Sequence, residues 1–207
     1  MTPFTINVPQ SDLDDLRGRL ERTRFAPAVP GDSWEYGTPS SYLREMVARW
    51  QRFDWRAVEA RVNAYPQFLT EIDGQTVHFL HVRSAAKGAT PLLLAHTYPG
   101  SFLEFEAMIG PLVDPVAHGG RAEDAFDVVV PSMPGFGFST PLVGTGWTMA
   151  RVARTYDTLM RGLGYESYGV HGSDGGAMIG RELALLNPAG FLGAHVLQSS
   201  PSVRGAR

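Results

Sequence analysis

The sequence predicts an α/β protein: a mostly parallel sheet with helices on both faces, preceded by a helical segment. Three observations carry that prediction. Short apolar runs of buried-strand type recur at 91–95, 126–130, 168–171 and 192–197, as expected of strands covered on both faces. Helical spacing fills the stretches between them, the alternation that builds parallel sheets. The first 65 or so residues carry helical periods and no strand signal.

Within that first segment, Ser11 followed by Asp14 resembles a capping box ahead of Leu13, Leu16 and Leu20. A loop through Pro27, Pro30 and Gly31 precedes a second amphipathic stretch from Pro39, with Leu43, Met46, Val47 and Trp50 on one face. Asp54 is placed to cap a third helix bearing Trp55, Val58 and Val62, which Pro66 ends. The four tryptophans, Trp34, Trp50, Trp55 and Trp147, are read as packing anchors.

From Phe68 the period changes. Residues 70–72 and 76–82 flank Asp73-Gly74, the signal of an antiparallel hairpin. Residues 102–113, 148–163 and 176–186 are helical by spacing, each following one of the apolar runs.

Composition narrows the function classes. Apolar residues make 43% of the 207 and charged residues 19%, enough to bury a core. Gly and Pro, 23 and 15 residues, stay well short of the roughly 25–30% of low-complexity chains. The net charge is −3 without a long run of either sign, so neither nucleic acid nor an anionic membrane is expected as a partner. With no cysteine, a thiol nucleophile, thiolate metal ligands and disulfides are excluded. Residues 1–4 open without a basic, apolar leader and no spanning segment occurs; a soluble, cytoplasmic protein is expected.

In open α/β sheets the working residues lie beyond the carboxyl ends of the strands. Three such loops stand out: 96–101 (HTYPGS), 131–139 (PSMPGFGFS) and 172–176 (GSDGG). The third is a sharp strand-to-helix turn of the kind that presents a nucleophile. Such an elbow needs small residues two positions either side, because the helix packs close. With Asp174 central, those positions are Gly172 and Gly176; with Ser173 central, His171 would occupy one of them. Asp174 is therefore the candidate nucleophile, against the bland alternative of an ordinary helix N-cap. His96 is read as a loop histidine satisfied by backbone hydrogen bonds. His78 and His81 fall on opposite faces of a strand and make a poor metal pair. Neither a metal nor a cofactor is expected. The glycines at 135 and 137 lack the spacing of a phosphate loop and are assigned to tight turns.

The residues now resemble the N-terminal part of a microsomal-type epoxide hydrolase. The similarity runs through 3–6, Asp12-Leu13, Arg19-Leu20, 34–37, 54–56, 66–68, 72–74, 99–101, 131–139 and 163–165. It covers essentially the whole chain and implies a partial α/β-hydrolase fold at 68–207 behind an epoxide-hydrolase-type helical segment at 1–67. Two departures fall in the functional loops. Where the family usually has Gly-Trp this chain has Thr97-Tyr98, and where it has Gly-Asp-Trp-Gly this chain has Ser173-Asp174-Gly175-Gly176.

The resemblance implies a small-molecule epoxide as substrate and a diol as product. A carboxylate suits that chemistry. Attack by Asp174 on an epoxide carbon leaves an ester, whose carbonyl water can attack; a serine would leave an inert ether. The N-terminal end of the following helix favours the ionised form. The resemblance further implies that the backbone N–H groups of Tyr98 and Gly175 hold the oxyanion of the hydrolytic step.

It also implies a lid with tyrosines inserted near Ser199, then a late acid and a late histidine. After Asp174 the sequence holds only Glu182 and His195 for those roles, one on a predicted helix and the other inside a predicted strand. An incomplete hydrolase with little turnover is expected, its last strand open to self-association or to a complementing C-terminal segment. A haloalkane dehalogenase, which also uses an elbow aspartate, a serine esterase acting through Ser173, and a non-catalytic module that pairs with a lid-bearing chain stay open as alternatives.

Overall fold

The computed structural model describes residues 1–28 and 30–197; the expected lid insertion near Ser199 lies outside the described residues. The described chain divides into two compact units, Ile6–Ala64 and a second made of Met1–Thr5 with the chain from Tyr65 onward.

The first unit holds three helices, α1 (Gln10–Glu21), α2 (Ser40–Gln51) and α3 (Trp55–Val62). Asp54 caps α3 as expected, its side chain accepting from the Ala57 N–H. The expected capping box at α1 does not form. Pro9 holds the N-cap position, so Ser11 lies inside the first turn, and Asp14 accepts from Gln10 and Arg17 instead. Asn63 and Glu59 of α3 and its end tie down the entering strap, accepting from the N–H groups of Ile6 and Val8. Trp34 and Trp50 are exposed, at 64% and 55%, so these two do not anchor a core. Trp34 meets Tyr42 at the surface. Trp147, in the second unit, does pack against core residues.

The second unit is a mixed sheet in the order β1-β2-β3-β5-β4-β6-β7. Its strands are β1 (Thr2–Pro3), β2 (Gln67–Ile72), β3 (Gln75–Val82), β4 (Thr90–Ala95), β5 (Phe126–Pro131), β6 (Tyr168–Ser173) and β7 (Phe191–Leu197). The Asp73-Gly74 turn joins β2 and β3 with both residues at positive φ. β4 to β7 run parallel. Thr2 and Pro3 pair with Leu69 and Phe68, so the first residues belong to the sheet rather than to the helical segment. Two residues carry too little periodicity to announce a strand; their partner strand recruits them.

Helices α4 (Glu106–Val113), α5 (Met149–Gly162) and α6 (Gly175–Leu186) flank the sheet. The expected helix over 102–113 is split, Phe102–Phe105 forming a 3-10 turn before α4 begins. The core lies on the α5–α6 side, where Leu93, Val129 and Val170 meet Tyr156, Leu159, Met160, Ile179 and Leu183. Gly180 lets α6 settle on that face, since a Cβ there would touch Val196, Val170 and Ala194. Among the described residues no helix is long and apolar enough to cross a membrane.

Candidate active site

Strand order locates the site. The chain passes from β4 to β5 on one side, then crosses to β6 on the other. The carboxyl ends of β4 and β6 thus flank a topological switch point, where open α/β sheets place their ligands. The β4 end carries His96 to Ser101, and the β6 end carries the turn at Asp174.

Asp174 has φ 50° and ψ −116°, a region sparsely populated by residues with a side chain. Ser173 before it is the last residue of β6, paired with Leu197. The sharp turn is therefore centred on the aspartate. Its side chain makes no capping hydrogen bond to α6, and the residue is exposed. Asp174 thus occupies the N-cap position of α6 without its side chain capping the helix.

The flanking glycines obey the steric rule. A Cβ on Gly172 would lie 2.5 Å from the carbonyl carbon of Gly176. One on Gly176 would overlap the carbonyl oxygen of Ala95 at the end of β4. Both glycines are sites of close backbone approach, which presses the start of α6 against β4.

That approach brings the two loops together. A Cβ on Gly175 would stand 3.4 Å from the Tyr98 nitrogen and 3.3 Å from the Tyr98 Cβ. Gly175 opens α6, so its N–H is one of the unbonded donors of a helix start. Among the described residues neither this N–H nor that of Tyr98 makes a hydrogen bond.

His96 is buried and both its nitrogens are engaged. Nε2 accepts from the Met133 N–H at 2.9 Å, so Nδ1 carries the proton and donates to the Thr97 carbonyl at 2.8 Å. Burial holds its pKa below the usual histidine value. His96 is a structural residue that ties the β4 loop to the β5 loop. Glu104 takes the Thr97 N–H at 3.0 Å on one oxygen and the Thr97 hydroxyl on the other. The Tyr98 ring is exposed and meets Phe136 edge-on.

Residues 131–143 are held from below by a buried polar network. Gln75 donates to the carbonyls of Ser139 and Pro141 and accepts from the Val143 N–H. His78 bonds Ser132 through Nδ1 and Gln67 through Nε2. His81 bonds the Tyr165 hydroxyl, which donates to Asp127. Gly135 and Gly137 take positive φ, as turn residues do.

The remaining candidates fall elsewhere. His195 lies within β7, its Nδ1 2.8 Å from that of His171 and its ring stacked on it. With Leu92, Leu94, Met108 and Leu112 the pair lines a recess of about 450 Å³ on the α4 side of the sheet. Glu182 lies within α6. Neither stands at a strand tip. A larger recess, about 550 Å³, belongs to the helical unit, between Leu13, Leu16, Trp50 and Phe53. It lies in the other unit from Asp174. Among the described residues no cluster of three or more His, Cys, Asp or Glu is placed to hold a metal.

Sequence reasoning missed Glu104 and Gln75. An acidic residue in a helical first turn and a polar one beginning a strand are commonplace, and only the folded loops show what they hold.

The family model described as "Epoxide hydrolase N terminus" matches residues 1–105, and the one described as "alpha/beta hydrolase fold" matches residues 90–203. A Stigmatella aurantiaca protein provisionally named an epoxide hydrolase is 47% identical over 197 residues, spanning 95% of this chain and 45% of that one. Epoxide hydrolase 1 of Oryctolagus cuniculus is 36% identical over 199 residues, 94% of this chain and 44% of its own. Among solved structures, the Aspergillus niger epoxide hydrolase superposes with a TM-score of 0.81 at 34% identity, covering 97% of this chain and 54% of that one. The juvenile hormone epoxide hydrolase of Bombyx mori gives 0.83 at 34%, covering 95% and 52%. The chain spans about half the length of the curated relatives it matches. On its N-terminal match and its sheet, the chain belongs to the epoxide hydrolase N-terminus family and carries the α/β-hydrolase fold.

Proposed function

We propose that the chain is the nucleophile-bearing portion of an epoxide hydrolase. The observation that carries this is Asp174: an exposed carboxylate on a strained strand-to-helix turn that caps nothing, beside two backbone N–H groups. A carboxylate oxygen of Asp174 attacks an epoxide carbon and the ring C–O bond breaks. The epoxide oxygen takes a proton from an acid outside these residues, which leaves a hydroxyalkyl ester of Asp174. Water then adds to the ester carbonyl. The N–H groups of Tyr98 and Gly175 receive the oxyanion, and collapse releases the diol and restores the carboxylate.

The start of α6 presents the positive end of its dipole to this carboxylate. Gly172 and Gly176 serve by leaving room for the turn. The base for the water and the acid for the epoxide oxygen belong to a lid-bearing C-terminal segment, in the same or a separate chain. Among the described residues β7 pairs on one side only, and this edge with its exposed Leu192, Val196 and Leu197 offers such a segment a place on the sheet.

Incubation with 2-bromoacetophenone, which a carboxylate displaces at carbon without help from an acid, followed by peptide mass analysis, tests the assignment. A phenacyl-sized mass on the peptide containing Asp174, absent from Asp174→Ala, is expected. Label on Ser173, or none on this peptide, would overturn it. Halide release from a haloalkane without diol formation from epoxides would favour the dehalogenase alternative.

A further inference from the structure

The Tyr98 N–H shares a planar trans peptide with the Thr97 carbonyl, and the two point in opposite directions. Whatever fixes the Thr97 carbonyl therefore aims the Tyr98 donor. His96 Nδ1 holds that carbonyl from one side at 2.8 Å. On the other side of the Thr97 Cα, the preceding peptide is held through the Thr97 N–H, which donates to Glu104 at 3.0 Å. With both flanking peptides anchored, the φ and ψ of Thr97 are restrained from both sides. The second oxygen of Glu104 takes the Thr97 hydroxyl and fixes the side chain too.

The ring so closed, from Thr97 to Glu104, is tight. A Cβ on Gly100 would overlap a Glu104 carboxylate oxygen and stand 2.5 Å from the Thr97 hydroxyl and 2.9 Å from the Thr97 carbonyl oxygen. The loop is wrapped around the carboxylate, with the Tyr98 nitrogen on its outer side against Gly175. The Glu104 N–H in turn donates to the Ser101 carbonyl, which seats the carboxylate at the start of the 3-10 turn.

We infer that Glu104, acting through the N–H and hydroxyl of Thr97, is a positioning residue for the oxyanion donor at Tyr98. This inference rests on the elbow assignment above. Because the donor serves only the tetrahedral intermediate, Glu104 affects breakdown of the Asp174 ester and leaves its formation alone.

The test separates the two halves. 2-Bromoacetophenone alkylates a carboxylate by displacing bromide and needs no acid; the chain has no cysteine to compete. The alkylated 207-residue chain is then moved to pH 9 and the loss of adduct mass followed. There, hydroxide adds to the ester carbonyl and the C–O bond to the alcohol breaks. The released alkoxide takes the proton of the new carboxylic acid, and the carboxylate is regenerated. In Glu104→Ala, breakdown should slow by about tenfold, a modest share of what losing or misplacing an oxyanion donor costs. Adduct formation should stay within about twofold of the unsubstituted chain on the same reasoning.

Glu104→Gln keeps an acceptor for the Thr97 N–H and a donor for its hydroxyl oxygen, and should break down like the unsubstituted chain. Thr97→Val, which keeps the N–H bond and removes the hydroxyl, should fall between, and carries the test if Glu104→Ala does not fold. Equal breakdown rates in Glu104→Ala, or in Thr97→Val where that variant stands in, overturn the inference alone. Absence of adduct on Asp174 in the unsubstituted chain overturns the elbow assignment, and the inference with it.

Discussion

A Cβ on Gly172 would lie 2.5 Å from the carbonyl carbon of Gly176, so the end of β6 and the start of α6 meet backbone to backbone. The same closeness holds Asp174 between them at positive φ. Alanine at either glycine must push α6 outward. Gly172→Ala and Gly176→Ala should each cost about 1–3 kcal/mol, as overpacking does, read from urea unfolding. Labelling of Asp174 should fall with them.

Asp174 itself predicts a change of opposite sign. Its backbone conformation suits glycine, and a residue with a side chain held there costs on the order of 1–3 kcal/mol. Asp174→Gly should raise the unfolding free energy by about 1 kcal/mol, the relief being partly offset by glycine's greater freedom in the unfolded chain. Labelling by 2-bromoacetophenone at this position should vanish. Differential scanning calorimetry and peptide mass analysis read the two effects.

Gln75 is fully buried and satisfies the Val143 N–H and two carbonyls of the 131–143 loop. Gln75→Leu keeps the volume and removes every partner. Stability should fall by about 2–3 kcal/mol, the cost of leaving buried polar groups unpaired. Hydrogen exchange at Val143 should accelerate in the same variant.

His78 makes stability depend on pH. Burial lowers its pKa from 6.5 to about 4, so the folded state holds it neutral where the unfolded chain would protonate it. The unfolded state then binds more protons between those values, and stability is lost as pH falls from about 6.5 towards about 4. Between pH 7 and pH 5 the loss from this group is about 2 kcal/mol. His81, His96 and His171 are lowered for the same reason, so His78→Gln should reduce the slope without removing it. Urea titrations of both proteins at the two pH values check this.

The strands and helices from Phe68 onward were legible because each carries its own period. The elbow was legible for a steric reason, since small residues two positions either side of Asp174 mark a close turn whatever surrounds it. The capping box at Ser11 misled because Pro9 can begin the helix earlier, a competition that spacing does not show. Trp34 and Trp50 misled because a large apolar side chain signals burial only where something covers it.

What the sequence determined by itself is the α/β alternation and the identity of the strained residue, both set by interactions among near neighbours. Only the tertiary structure decided that β4 lies beside β6, and hence that Tyr98 faces Gly175. It likewise decided that β1 joins the sheet and that Glu104 closes on Thr97. These relations depend on which strand pairs with which, and on where a loop folds back. Such choices minimise the free energy of the whole packed sheet, so no local stretch of residues records them.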